Sequence, residues 1–185
     1  KLYITGKSKP LIPQIDRHQA ATTVADGRGW SNKYRNETYD KLEEKDLLKL
    51  LGSWSPIVRE RAAMALGRKG VSPNKEFIRM LTSNDLETRY GASQALAHTK
   101  KPSLEAVDAL RKNLDHRDLW LRIESAEALA KIGKPAMSAL PKLLTMLAQP
   151  PSEDDPRGME QRYLSFAVFG KMLRNSLNGV DKNLL

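Results

Sequence analysis

The chain of 185 residues contains no cysteine, which excludes disulfide bonds and cysteine-ligated zinc sites. Its three histidines, His18, His98 and His116, include no pair at the spacing of metal ligands on a helix. Aromatic residues make up only 6% of the chain, and no apolar run approaches the roughly 20 residues that a membrane span needs. We therefore predict no metal site, no cofactor and no membrane span. The compartment is not indicated.

Basic residues are in excess. Lysine and arginine total 31 against 22 aspartate and glutamate residues, for a net charge of +9. The excess is spread over the first 150 residues and does not form a basic tail. The ordinary interpretation of such a charge is a solvated surface, and an anionic partner is the alternative.

The chain divides by composition into three parts. Residues 1–37 are rich in turn signals and contain one short β-prone piece, so we expect an irregular N-terminal arm or linker. We expect Trp30, Tyr34 and Tyr39 to pin this arm to the first helices. Residues 38–175 have a helical period, and residues 176–185 are a tail.

Within the helical part, three segments align with one another. They read "SPIVRERAAMALGRKG", "DLETRYGASQALAHTK" and "DLWLRIESAEALAKIG", beginning at Ser55, Asp85 and Asp118. These starting points are 30 and 33 residues apart. A weaker fourth copy covers residues 161–170. A period of 30–40 residues predicts a solenoid of helix pairs.

The alignment also predicts the elements and the core. Aligned alanines on successive helices would allow close packing, and Leu66, Leu96 and Leu129 would fill the core between the layers. The expected alanines are Ala62, Ala65, Ala92, Ala95, Ala126 and Ala128. We predict helices near residues 41–51, 56–69, 73–82, 86–99, 102–115, 119–133, 135–148 and 157–175.

The stretch "HRDLW" at residues 116–120 matches the start of a protein-kinase catalytic loop. That loop needs an asparagine five residues after the aspartate, where this chain has Ile123, and no glycine-rich phosphate loop or D-F-G is present. Asp118 instead aligns with Asp85 and Ser55, all residue types that favour helix N-caps. The motif therefore predicts a turn followed by a helix start, as does Asp155 before Pro156.

These repeated residues resemble HEAT repeats, including the HEAT-like repeats of phycobilisome-lyase type. The first copy, "PIVRERAAMALGRKG", carries the family pattern nearly complete, and the resemblance covers about residues 41–175. It implies an all-α, right-handed superhelix of the armadillo/HEAT-like kind. In each pair the first helix would lie on the convex side and the second on the concave side.

The resemblance also implies a structural ladder of ion pairs between repeats. In the family the repeated arginine often pairs with the acidic turn residue of the next repeat. Carried over, the pairs are Arg59 with Asp85, Arg89 with Asp118, and Arg122 with Asp155.

A basic patch is predicted on the concave face. Basic residues recur at two aligned positions of the second helices, and they are Lys45, Lys49, Lys75, Arg79 and Lys112. A solvated surface is the ordinary interpretation of this basic patch, and a binding site for an anionic partner is the alternative.

Three functions remain open from the sequence. The first is a non-catalytic scaffold that binds a protein, or another domain of its parent chain, through the concave face. The second is nucleic-acid binding in a basic concave groove, as in the HEAT-like DNA glycosylases, although stacking aromatics are scarce on that face. The third is an enzyme or lyase role supplied by the arm or by neighbouring domains. Because the chain begins without methionine and its last helix is apolar, we expect a piece of a longer protein with a truncated fourth repeat.

Overall fold

The structure is a computed structural model that describes residues 37–71, 75–99, 102–155 and 157–174. The predicted arm lies outside these ranges except for its last residue, and the predicted tail lies outside them entirely. Trp30 and Tyr34 are therefore outside the described residues, whereas Tyr39 is buried in the core. All regular secondary structure in the described ranges is helical.

Each predicted helical segment contains a helix. In chain order they are α1 (Glu44–Leu50), α2 (Pro56–Arg68), α3 (Lys75–Leu81), α4 (Leu86–Ala97), α5 (Leu104–Asn113), α6 (Leu119–Ile132), α7 (Leu140–Leu147) and α8 (Met159–Ser165). A 3₁₀ turn, Lys134–Ala139, leads into α7. A π-helix, Phe166–Leu173, continues α8.

The aligned aspartates begin helices, as predicted. Asp85 accepts a hydrogen bond from the Thr88 backbone N–H at 2.9 Å, and Asp118 accepts one from the Leu121 N–H at 2.8 Å. Each satisfies one of the amide groups that the first helical turn leaves without a partner. "HRDLW" is thus a turn and a cap, and the aspartate has a structural use.

The expected helix start at Asp155 is wrong by about one turn. Helix α8 begins at Met159, after Gly158, which has a φ of 63°. Asp155 nevertheless satisfies the start of this helix, because its carboxylate accepts the N–H groups of Met159 and Glu160 at 2.9 and 2.6 Å. Ser55 also differs, since its side chain makes no capping hydrogen bond to α2.

The helices form two layers. In one layer α2, α4, α6 and the π-helix pack on one another in that order. In the other, α3 packs on α5, and α5 on the 3₁₀ turn before α7. The layers meet where α1 packs on α2, α3 on α4, α5 on α6 and α7 on α8. This is the all-α array that the repeats predicted.

The small aligned residues lie between the helices of the first layer. All six predicted alanines are buried, and Leu66, Leu96 and Leu129 are at most 1% exposed. A short side chain at such a contact lets two helices approach closely and leaves the leucines to fill the space between layers. The core is therefore continuous from one repeat to the next, because a single helix pair could not bury its own apolar face.

The last described helix is apolar on more than its core side. Leu164, Val168 and Met172 are fully buried, but Phe166 and Phe169 are 65% and 58% exposed.

Within the described ranges, no helix combines the length and the apolar character required to cross a membrane.

Among the described glycines, Gly91, in the middle of α4, has the closest neighbour. A Cβ atom at this position would lie 2.0 Å from the Leu51 carbonyl oxygen at the end of α1. That atom belongs to the backbone, so it cannot move aside as a flexible side chain would. The end of α1 therefore packs directly on the backbone of α4, which only glycine permits.

We predict that Gly91→Ala destabilises the fold by roughly 1–3 kcal/mol or more, as overpacking does in a closely packed core. The direction of the change in the free energy of unfolding is informative, because alanine in place of glycine inside a helix ordinarily stabilises a protein by about 0.5–1 kcal/mol. Urea denaturation would measure the change. The matched control is Gly170→Ala, whose Cβ would have its nearest neighbour, Phe166 Cδ1, at 4.0 Å. Equal behaviour of the two variants would contradict the packing.

Candidate functional site

The predicted basic patch lies on the second layer. Lys45 and Lys49 are on α1, Lys75 and Arg79 on α3, and Lys112 on α5. All five side chains are exposed. The structure thus places them on successive helices of one layer, and their use as a binding site remains a prediction.

Acidic residues on the same helices offset part of this charge. Arg79 forms an ion pair with Glu76 at 2.6 Å, and Lys49 lies 4.0 Å from Asp46. The hydrogen bond from Arg79 lowers the pKa of Glu76. A phosphate group would have to compete with these carboxylates, so the basic patch is a weaker anion site than the sequence alone suggests.

The repeated arginines have different partners from those carried over from the resemblance. Arg59 pairs with Glu87, two residues beyond the expected Asp85. Arg122 forms a two-point ion pair with Glu160, at 2.6 and 2.7 Å, in place of Asp155. Asp85 and Asp155 instead accept hydrogen bonds from helix N–H groups, through Oδ2 of Asp85 and through both carboxylate oxygens of Asp155.

The middle pair of the ladder is also replaced. Arg89 donates to the side-chain oxygen of Asn113, and Asp118 acts on Arg89 only as a nearby charge. Asp118 accepts its hydrogen bonds from the Leu121 N–H and from the Tyr90 hydroxyl, the latter at 2.7 Å. The three arginines therefore still join neighbouring repeats, but through other residues.

Two of these arginines also fasten the turn before their own helix. Arg59 Nη1 donates to the carbonyl oxygens of Ser53 and Trp54, at 2.7 and 3.1 Å. Arg122 Nη1 donates in the same way to His116 and Arg117, at 2.8 and 2.9 Å. Each of these two guanidinium groups thus binds both the turn before its own helix and a carboxylate further along the chain.

A groove of about 370 Å³ crosses the N-terminal turns of α2, α4 and α6. We call it the aromatic groove, and its lining residues are Trp54, Pro56, Arg59, Glu87, Tyr90, Trp120 and Glu124. Each of three successive repeats contributes to it. Trp54 and Trp120 are 64% and 46% exposed, which is unusual for the largest apolar side chain.

The floor of the aromatic groove is a packed polar cluster. The Arg59 guanidinium carbon lies 5.1 Å from the centre of the Tyr90 ring, a cation–π contact. Burial lowers the pKa of Arg59, and the nearby Glu87 carboxylate opposes that shift. Burial raises the pKa of Tyr90, and its hydrogen bond to Asp118 adds to the effect. The phenol is therefore a neutral hydrogen-bond donor at physiological pH.

Glu124 is a half-buried carboxyl group that also lines the aromatic groove. Burial raises its pKa above the ordinary 4.5, while the hydrogen bond from Gln94 Nε2, at 3.0 Å, opposes the shift. Glu127 raises the pKa further, and Arg59 and Lys131 lower it. Glu124 is thus a carboxylate whose charge is poorly compensated by its surroundings.

Trp120 is held in place by a neighbour in the last repeat. Its ring meets that of Tyr163 edge-on, with centroids 6.2 Å apart. Sequence reasoning placed Trp120 in a turn motif but did not ask where its side chain lies. A signal was present, because two of the three tryptophans, Trp54 and Trp120, stand beside aligned helix starts.

Comparison with known protein families supports the architecture. Residues 74–158 match the family model for HEAT repeats. Over this segment the chain is similar to HEAT repeats, which supports the repeat architecture. No curated protein matches the chain. The phycobilisome-lyase type remains a prediction.

HEAT repeats commonly serve as scaffolds for protein interaction. The match includes Glu87, Tyr90, Trp120 and Glu124, so more than half of the aromatic groove belongs to the matched segment. Trp54, Pro56 and Arg59 precede it in the chain and come from the preceding repeat.

We predict that Glu124→Gln gains stability relative to the wild type as the pH rises above 4.5. The raised pKa means that the native state keeps a proton which the unfolded chain has already released, so wild-type stability falls with rising pH in that window. Glutamine keeps the acceptor for Gln94 and removes the charge. Chemical denaturation at several pH values would measure the difference.

Glu105→Gln is the control for this prediction. Glu105 is an exposed carboxylate in the first turn of α5, outside the aromatic groove. Its substitution shows how much the loss of any one negative charge changes stability on this basic chain. If the difference in the free energy of unfolding between Glu124→Gln and the wild type stays constant from acid to neutral pH, the raised pKa assigned to Glu124 is contradicted.

Proposed function

We propose that this chain is a non-catalytic HEAT-repeat scaffold that binds a protein, or another domain of its parent chain. The observation that carries the proposal is the pair of exposed indole rings, Trp54 and Trp120, on one groove. Tryptophan is strongly enriched among the residues that dominate protein-binding energy. Two such rings on one groove offer apolar area that a partner can cover.

The aromatic groove is better suited to binding than to catalysis. Its ionisable groups have structural partners: Glu87 with Arg59, Tyr90 with Asp118, and Glu124 with Gln94. In the described part of the chain, no three His, Asp or Glu side chains gather closely enough to hold a metal ion. The proposal of a scaffold therefore rests on what the groove offers to a ligand.

The basic patch is retained as a second surface. We propose that it lies on the concave face of the array and contacts acidic groups of the same partner or of a neighbouring domain. Its exposed lysines favour fast, salt-sensitive association, and the aromatic groove would supply most of the affinity.

The test is selection of binding peptides from a random library displayed on phage, with the whole chain as target. We expect peptides that bind the wild type and lose at least about tenfold in affinity with Trp120→Ala, since truncation of a central aromatic commonly costs 2 kcal/mol or more. Leu104→Ala is the control, because Leu104 is 75% exposed and lies outside the aromatic groove. Peptides that bind both variants like the wild type, or no selectable peptides, would count against the proposal.

Nucleic-acid binding is the second candidate, favoured by the exposure of all five residues of the basic patch. It predicts that affinity for duplex DNA falls steeply as the salt concentration rises. The double variant Lys49→Gln, Arg79→Gln should reduce the slope of log affinity against log salt concentration by about 2. The ion pair of Arg79 with Glu76 argues against it. Measurement of the affinity for DNA at 50 and 200 mM salt separates the two candidates. A protein scaffold should bind DNA weakly, and equally well with or without Trp120.

A further inference from the structure

The structure points to a ligand chemistry for the aromatic groove. We propose that it receives a cationic side chain, an arginine or a lysine, presented by a segment of a protein partner. This inference rests on the proposed function and deepens it, because it names the group that the scaffold recognises.

The floor of the aromatic groove already shows how this chemistry is accommodated. The guanidinium of Arg59 lies over the ring of Tyr90 and pairs with the carboxylate of Glu87. An aromatic face and a carboxylate thus hold a cation from two sides. The same combination of aromatic rings and a carboxyl group recurs in the rest of the lining, which includes the exposed rings of Trp54 and Trp120 and the side chain of Glu124.

The aromatic groove has aromatic surface that no cation of the chain covers in the described residues. Tryptophan is the best of the aromatic rings for cation–π contact, and Trp54 and Trp120 both keep large exposed fractions. A volume of about 370 Å³ lies at the lower end of the range for ligand sites. It suits one long side chain better than a large rigid ligand.

The charges of the lining favour a cation over an anion. Two carboxyl groups, Glu87 and Glu124, face one guanidinium, that of Arg59. The amide groups at the starts of α4 and α6 would attract an anion, but Asp85 and Asp118 already cap them. Phosphate would therefore meet carboxylates at the aromatic groove, whereas an ammonium or guanidinium group would offset the charge of Glu124, whose hydrogen-bond partner, Gln94, is neutral.

Binding should also be linked to the proton of Glu124. The groups around this carboxyl are Arg59 on α2, Gln94 on α4, and Glu127 and Lys131 on α6. A bound cation would favour the ionised form, so binding would release a proton over the pH range in which free Glu124 is partly protonated. Affinity for the cation should therefore rise with pH through that range.

The experiment is an NMR titration of the whole chain with N-acetyl-arginine methylamide, followed through the indole N–H signals of Trp54 and Trp120. We expect both signals to shift with a common Kd in the millimolar range. The neutral citrulline analogue, which has nearly the same shape, should bind about tenfold more weakly. Glu124→Gln should weaken arginine binding about tenfold and remove its pH dependence, while Glu105→Gln should leave both unchanged.

Several results would overturn the inference. Equal shifts with the citrulline analogue would show that apolar contact alone is recognised, and stronger shifts with a short duplex DNA would assign the aromatic groove to nucleic acid. Unfolding measured on each variant separates loss of binding from loss of fold. A second variant, Trp120→Phe, keeps an aromatic ring and should retain part of the arginine binding that Trp120→Ala loses.

The peptide selection distinguishes failure of this inference from failure of the proposed function. Enrichment of arginine or lysine among groove-dependent peptides supports both. If the groove-dependent peptides lack basic residues, the inference of a cation site is contradicted and the proposed scaffold function still stands. Arginine binding in the titration without any selectable peptide contradicts the scaffold and leaves the cation site intact.

Discussion

Close packing of the helices, both within the first layer and between the layers, is the constraint on which the other features depend. Gly91 lies against the carbonyl of Leu51, and small side chains such as Ala62, Ala92 and Ala126 separate successive helices. Because α2, α4 and α6 are held this closely, their N-terminal turns form one continuous edge. The aromatic groove exists only along that edge, since no single repeat contains enough of its lining residues to make a concave surface.

The repeated arginines connect the packed helices to the turns that precede them. A buried guanidinium without partners would be strongly destabilising, so Arg59, whose side chain is 6% exposed, needs acceptors, which its Nη1 has and its buried Nε does not. Arg59 finds them in two turn carbonyls and in Glu87 of the next repeat. The conformation of the turn and the spacing of the repeats are therefore fixed by one side chain, and Trp54 lies in that turn.

The fold was predictable from sequence because its determinants are local and repeated. The aligned alanines, leucines and capping aspartates each act within one helix or between adjacent ones, so their period alone gave the helices and the core. The partners of Arg59 and Arg122 were predicted incorrectly, because the aspartates near the helix starts accept hydrogen bonds from helix N–H groups, and Glu87 and Glu160, further along the chain, pair with the arginines. The aromatic groove was missed because most of its residues occupy different positions within their repeats, and the one position that two of them share holds Glu87 in one repeat and Trp120 in the next.

The chain thus carries two surfaces of different chemistry, and under the proposed function they would make unequal contributions to binding. The basic patch consists of long exposed side chains, some paired with acids on the same helix, and ordering them opposes association through lost rotamer freedom. The aromatic groove is ordered before any partner arrives: Arg59 fixes the backbone at Trp54, Tyr163 supports Trp120, and Asp118 holds Tyr90. A preorganised surface loses less entropy on binding for the same contact area. A partner that touches both would therefore be attracted by the basic patch but held by the aromatic groove.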